Sequence, residues 1–276
     1  MTGSRRTVGA SLRRALGLGP VIIVASTMML GGGAATGAPV LAPVRWHPLP
    51  GVSWQWQLDG PIDTTIRASV YDVDLFETSK ATVARLHALR RKVVCYFSAG
   101  SLETGRPDYF SFPRNIIGLP VDGWPQERWL DIRATPTLAQ IMGKRMDLCK
   151  AKGFNGVEAD LVDGYQSRTG FPLTAAQQLK YDRMLAAMAH ARGLAIGLKN
   201  DLDQAVALEP SFDFAVNEQC FEYAECGVLS IFIRARKPVF NAEYNLKLTQ
   251  FCPAARSLGF ASILKQVSLG AWRRSC

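Results

Sequence analysis

Glycines that stop a helix-like run and hand over to an apolar strand start recur along this chain: Gly153-Phe154, Gly193-Leu194 and Gly259-Phe260. Glycine takes the left-handed cap conformation without a Cβ clash, so each pair reads as a helix end followed by a strand. The rest of the chain keeps the same rhythm. Strand-like runs fall at residues 54–58, 69–75, 92–99, 128–132, 156–160, 195–199, 212–218 and 238–244. Helix-like runs fall at 78–91, 202–208 and 227–236. Two longer ones run from Thr135 (N-cap, before Pro136) to Gly153 and from the capping box Thr174-Ala175-Ala176-Gln177 to Gly193, and a last one ends at Gly259. Strands alternating with helices build a parallel sheet. Eight of them in 276 residues, less a leader, predict an α/β chain folded as a (β/α)8 TIM barrel. A doubly wound open sheet is the alternative. No Gly-rich phosphate loop follows the first strand, which argues against its nucleotide-binding form.

The first 38 residues stand apart. Arg5, Arg6, Arg13 and Arg14 make a basic start, residues 16–30 are mostly apolar but short for a bilayer span, and Thr36-Gly37-Ala38 precedes Pro39. This pattern predicts a secretory signal peptide over 1–38, a single domain over 39–276 and an extracellular address, with no stable membrane span. A retained membrane anchor is the competing reading. Removing 1–38 takes four arginines and no acids, so a net charge of +9 falls to +5. With no Lys/Arg run interleaved with aromatics, a nucleic-acid partner is not expected.

All six cysteines (Cys95, Cys149, Cys220, Cys226, Cys252, Cys276) lie in the mature part. An even count in an exported chain favours disulfides. Cys220 and Cys226 are close enough to staple one loop, and the pairing of the other four cysteines stays open. With no CxxC and three histidines in no zinc-ligand spacing, neither a metal nor another cofactor is expected.

In a barrel the chemistry gathers at the C-terminal strand ends. Strand side chains alternate, so Glu158 and Asp160 point the same way near the end of 156–160. Two carboxylates there repel and cost desolvation, unless they only bond turn amides. The other ends carry Asp72 and Asp74, Tyr96 and Ser98, Asp131, Asp163 and Tyr165, Lys199, Asn200 and Asp201, Asn217 and Glu218, and Glu243 and Tyr244. Some of these acids serve turns, Asp201 first among them. A rim this rich in acids, with aromatics, suits glycoside hydrolysis, which needs one protonated and one ionised carboxyl. The absence of a GxSxG elbow argues against a serine hydrolase.

The same segments resemble a known family. Trp54-Gln55-Trp56-Gln57-Leu58, Tyr71-Asp72-Val73-Asp74, Cys95-Tyr96-Phe97-Ser98-Ala99-Gly100 and Trp129-Leu130-Asp131-Ile132 are similar to glycoside hydrolase family 114. So are Gly156-Val157-Glu158 with Asp160, Asp163-Gly164-Tyr165, Gly197-Leu198-Lys199-Asn200-Asp201 and Asn217-Glu218-Gln219-Cys220. Two departures stand out, Leu161 where the family often has Asn and Asn155 within Gly-Phe-Asn, and neither removes a carboxylate. The resemblance implies a TIM barrel of the endo-α-1,4-polygalactosaminidase type. Its substrate partner would be a cationic galactosamine polysaccharide, whose free amine suits an acidic cleft and cannot assist hydrolysis itself.

The expected catalytic pair is Asp160 with Glu218. Asp72, Asp74, Tyr96, Glu158, Asp163, Tyr165, Lys199, Asn200 and Glu243 are expected to bind substrate or tune the pair. The rival readings are a sugar-binding barrel without turnover and a hydrolase of another glycan.

Overall fold

The computed structural model describes residues 45–276. The boundary at 38 and the signal peptide lie outside the described residues. In chain order, β1 (Trp54–Gln57), β2 (Val70–Asp74), α1 (Lys80–Ala88) and β3 (Lys92–Ser98) come first. A small antiparallel sheet follows, made of β4 (Ser101–Glu103), β5 (Ile117–Val121) and β6 (Trp124–Leu130). Then come α2 (Thr135–Lys152), β7 (Gly156–Asp160), α3 (Ala175–Ala191), β8 (Ala195–Lys199), α4 (Ala205–Leu208) and β9 (Phe214–Glu218). The chain closes with α5 (Ser230–Arg234), β10 (Val239–Glu243), α6 (Leu248–Leu258), β11 (Ala261–Leu264) and the short β12 (Arg274–Ser275).

β1, β2, β3, β7, β8, β9, β10 and β11 pair in that order, all in parallel. The sheet curls until its first and last parallel strands meet. Trp54 Nε1 donates to the Ala261 carbonyl at 2.7 Å, and the Trp54 ring stacks on Phe240 at 5.1 Å between centroids. Trp54, Trp56, Val94, Phe214, Phe240 and Ile263 fill the lower barrel. A second apolar layer, including Val73, Cys95, Phe97, Val157 and Leu198, packs the outer strand faces against the helices. Strand alternation makes both layers from one sequence. Gly197 is required between Ala195 and Lys199, because a Cβ there would overlap the Phe214 ring that plugs the barrel.

The (β/α)8 expectation is met with a change of membership. Residues 128–132 are not a barrel strand: they continue the end of β6, whose first part is exposed. The eighth barrel strand is β11, just past the Gly259 cap with its φ of 73°. The reason is solvation. A strand covered on both faces must be nearly continuously apolar, which Arg128, Asp131 and Arg133 forbid and Phe260-Ala261-Ser262-Ile263-Leu264 satisfies. Asp160 and Glu218 thus end the fourth and sixth barrel strands, still two apart. At α2 the helix takes in Thr135, so Ala134 and not Thr135 is its N-cap residue. The Thr174–Gln177 capping box opens α3 as expected.

All six cysteines pair. Cys95–Cys149 ties β3 to α2, Cys220–Cys226 closes a loop after β9, and Cys252–Cys276 ties α6 to the C-terminus. No described helix is long and apolar enough to cross a membrane.

Candidate active site

Along β7 the inward residues are Gly156, Glu158 and Asp160, so this strand delivers one carboxyl deep in the barrel and one at its mouth. Lys199 ends β8 and Glu218 ends β9. The Lys199 ammonium binds both acids: Nζ is 2.9 Å from Asp160 Oδ1 and 2.6 Å from Glu218 Oε2. It also lies 5.3 Å from the Trp56 ring centroid. Tyr96 OH donates to Asp160 Oδ2 at 2.8 Å and the Leu161 amide to Oδ1 at 2.8 Å. Tyr244 OH donates to Glu218 Oε1. Asn200 Oδ1 accepts from the Glu218 amide at 3.0 Å and from Asn217 Nδ2 at 3.3 Å, holding the ends of β8 and β9 together.

Backbone geometry aims these groups. Leu161, Asn200 and Gln219, each the residue after a functional strand end, take φ of 57°, 50° and 62°. Left-handed backbone at a non-glycine residue is costly and recurs at functional sites. Here it turns the chain sharply away and leaves the preceding side chain over the mouth. Gly100 packs against the Leu161 carbonyl, where a Cβ would overlap it.

Electrostatics separate the acids. Burial alone would raise Asp160, but the Lys199 charge and the hydrogen bonds from Lys199, Tyr96 and Leu161 outweigh it and hold it below the ordinary carboxyl value. Lys199 is buried, yet its carboxylate neighbours push it well above an ordinary lysine. One layer below, Glu158 and Asp72 are fully buried and face each other, and no third residue donates to any of their four oxygens. Burial, with the Asp72 charge, pushes Glu158 well above its usual range, and burial raises Asp72 to about 7. Burial thus biases the two facing carboxyls together toward the protonated form, Glu158 the more strongly.

The mouth opens into a cleft of about 510 Å³ that includes Trp56, Asp74, Tyr96, Asp160, Lys199 and Glu218. A second cavity of about 460 Å³ continues it past Asp201, Asn217, Tyr223 and Tyr244. Both share Trp124, Asp163, Asn200, Glu218 and Val267, so they form one groove with Glu218 at the divide.

The expected residues divide by depth. Asp74, Tyr96, Asp160, Asp163, Lys199, Asn200 and Glu218 converge on the cleft. Asp74 is tied to Arg106 at 2.6 Å and to the Phe76 and Glu77 amides. Asp163 is raised to about 6, by burial and by the Asp160 and Glu218 charges against Lys199. Asp72 and Glu158 lie beneath the cleft floor. Tyr165 lies beside it and donates to Asp201 Oδ1 at 3.3 Å. Glu243 is placed outside the cleft, since Phe240 and Ala242 occupy the inward positions of β10. It faces the helices, accepting from the Phe221 amide at 3.0 Å and Asn241 Nδ2 at 3.1 Å. Asp131 pairs with Arg133, away from the mouth.

Other wall residues escaped the sequence reading. Glu103, Arg106, Trp124 and Glu127 come from the small sheet and its loop, and Val267, Ser268 and Leu269 from the β11–β12 connection. One signal was present: Val121-Asp122-Gly123-Trp124 is a hairpin turn inside a long barrel loop, where site residues concentrate. Among the described residues no group of three or more His, Cys, Asp or Glu has the geometry to hold a metal ion.

Two acids bridged by one ammonium, with a groove running past them on both sides, place the molecule among the barrel glycoside hydrolases. The chain belongs to glycoside-hydrolase family GH114, whose family model matches residues 36–276. Among solved structures it is similar to Aspergillus fumigatus Ega3 in complex with galactosamine. That likeness has 38% identity and a TM-score of 0.80, covering 84% of this chain and 98% of the other. The glycoside hydrolase domain of PelA from Pseudomonas aeruginosa shares the fold at 14% identity and a TM-score of 0.64, covering 82% of this chain and 98% of its own. No curated protein sequence matches the chain.

Proposed function

We propose that the chain is an exported, endo-acting, retaining glycosidase that cleaves α-1,4-linked galactosamine-rich polysaccharide with Asp160 and Glu218. The observation that carries this reading is their shared ammonium. The nearest oxygens of the two acids, 2.9 and 2.6 Å from one Nζ, are at most about 5.5 Å apart; this close approach favours the retaining arrangement, whose carboxyls sit about 5–5.5 Å apart, over the inverting one at about 6.5–9.5 Å. Asp160, held ionised, attacks the anomeric carbon as the bond to the leaving oxygen breaks. Glu218 acts as the general acid and delivers a proton to that oxygen. Water then attacks the glycosyl ester, Glu218 takes a proton from it, and Asp160 leaves as carboxylate. Lys199 holds both carboxyls in place and favours the departing Asp160 charge.

The substrate reading is supported by the acidic groove and by the galactosamine bound to the similar Ega3. A polymer of protonated amines is drawn to such a groove. Cavities on both sides of Glu218 support cleavage within a chain. Export is supported by the engagement of every cysteine in a disulfide.

Reducing-end release from a panel of deacetylated and acetylated galactosamine polymers tests activity and substrate, and the anomer first formed, followed by NMR, tests retention. Binding without release would favour the sugar-binding rival, and first formation of the opposite anomer would overturn retention. Secreted protein should begin within a few residues of Pro39 on N-terminal sequencing. A membrane-bound product retaining Met1 would refute that.

A further inference from the structure

The charges on the cleft wall do not balance locally. Arg106 binds Asp74 and Glu103, each at 2.6 Å, and Lys199 binds Asp160 and Glu218. Among the described residues, the wall carboxylates left without an ion pair are Glu127, Asp163 and, at the exposed rim, Asp59. Glu127 is the best built of the three. It is half-buried on β6, and its Oε2 accepts from the Ser101 hydroxyl at 2.5 Å. Ser101 is fully buried and lies 2.7 Å, Oγ to Oγ, from Ser98 at the end of β3. The anchor is therefore neutral and rigid, and Glu127 Oε1 receives no hydrogen bond from the described residues. Around Glu127 stand Glu103 on β4, Asp160 on β7 and the Arg106 guanidinium, already shared by Asp74, Glu103 and, at 3.8 Å, Glu77. Burial first, then the Glu103 and Asp160 charges, raise the Glu127 carboxyl to about 7, against the Ser101 bond and Arg106. A site of this kind lacks one cation.

We propose that Glu127 is the specificity residue that receives the ammonium of a galactosamine unit and so separates deacetylated from acetylated polymer. The proposal rests on the galactosamine reading of the same cleft. An ammonium offers three donors to the free carboxylate oxygen and replaces repulsion with attraction. An acetamido group brings no charge and adds bulk. Trp124, three residues earlier on the same hairpin strand and 52% exposed, borders both halves of the groove. Its ring offers an apolar face to the same sugars while Glu127 supplies the charge.

The test measures binding by calorimetry on Asp160→Asn protein, which leaves the oligosaccharide uncut, with and without Glu127→Gln. Gln keeps the side-chain length and an oxygen for the Ser101 hydroxyl. Near pH 6.5 an arriving ammonium should displace a proton from Glu127, visible as binding heat that depends on buffer ionisation enthalpy. Glu127→Gln should weaken binding of fully deacetylated oligomers about tenfold or more, the scale of one hydrogen bond to a charged group. It should also abolish the proton release and change binding of N-acetylated oligomers far less. Glu127→Asp should restore part of the proton release. Unchanged affinity and proton release in Glu127→Gln would overturn the assignment. So would equal losses for both oligomer classes, which would mark a merely structural role. If the Asp160→Asn protein with Glu127 intact binds no deacetylated oligomer at all, the substrate reading itself fails, a different result from failure at Glu127 alone.

Discussion

Asp160 and Glu218 differ from the other acids of the rim in what holds them. Each contacts the Lys199 ammonium and a tyrosine hydroxyl, so each is oriented by groups that an amide cannot replace electrostatically. Asp160→Asn and Glu218→Gln should each lower turnover at least ~10³-fold with little change in melting temperature. Steady-state kinetics beside thermal melts check this, and near-wild-type turnover in either variant would remove that residue from the pair. Glu158→Gln should cost less turnover, because Gln resembles the protonated form toward which burial drives Glu158. It should also change the pH dependence of stability. Asp72 and Glu158 have folded-state values raised above their unfolded ones, so the folded chain keeps protons that the unfolded chain releases. Their contribution is complete below about pH 4 and declines as pH rises, through about 7 for Asp72 and further still for Glu158. Melting temperatures across that interval should fall less in Glu158→Gln than in the parent. An unchanged slope would show that the buried pair does not titrate as described.

At the scale of elements, the loop after β9 is the support on which Glu218 depends. Cys220–Cys226 closes it across six residues with a Cα separation of 4.7 Å. Asn217 Oδ1 accepts from the Cys220 amide at 3.2 Å and Glu243 from the Phe221 amide. Glu243 thus contributes to the site by holding this loop. The short ring should contribute about 2 kcal/mol or less to folding, but it restrains the loop that follows Glu218, the proposed acid. Cys226→Ser should therefore reduce kcat/KM by a larger factor than it reduces soluble yield. Peptide mapping of unreduced protein should find the pair linked, and equal losses in activity and yield would argue that the loop acts only on stability. The hairpin joining β5 to β6 is the other element of consequence. Trp124 overhangs the groove where its two halves meet, and Trp124→Ala should raise KM for long polymer about tenfold, by analogy with truncation of a buried aromatic anchor. The same KM for long and short substrates in parent and variant would show that the hairpin does not engage the chain.

For the whole molecule, charge is segregated. Past residue 38 the chain carries +5, yet the groove wall holds seven acids against Arg106 and Lys199. A cationic polymer is thus repelled by the molecule at large and attracted at one face. Raising salt from about 0.05 to 0.5 M shortens the screening length severalfold. KM for deacetylated polymer should rise over that interval while kcat changes little, and a KM indifferent to salt would argue against electrostatic capture.

What the sequence determined by itself was local. Glycine caps, a capping box and apolar runs are decided by a residue and its near neighbours, so the barrel rhythm and the strand ends that carry Asp160, Lys199 and Glu218 were legible. The parity of β7 also placed Glu158 below Asp160 without further information. The tertiary structure decided what depends on partners distant in the chain. Residues 128–132 and 261–264 exchanged roles because only one of them can be covered on both faces. Glu243 turned outward because the register of β10 against β9 and β11 puts Phe240 and Ala242 inside. Glu127 joined the site through an inserted sheet that folds over the mouth. Which acids share a cation was likewise decided there, because that depends on distances of a few ångströms between strands far apart in the chain.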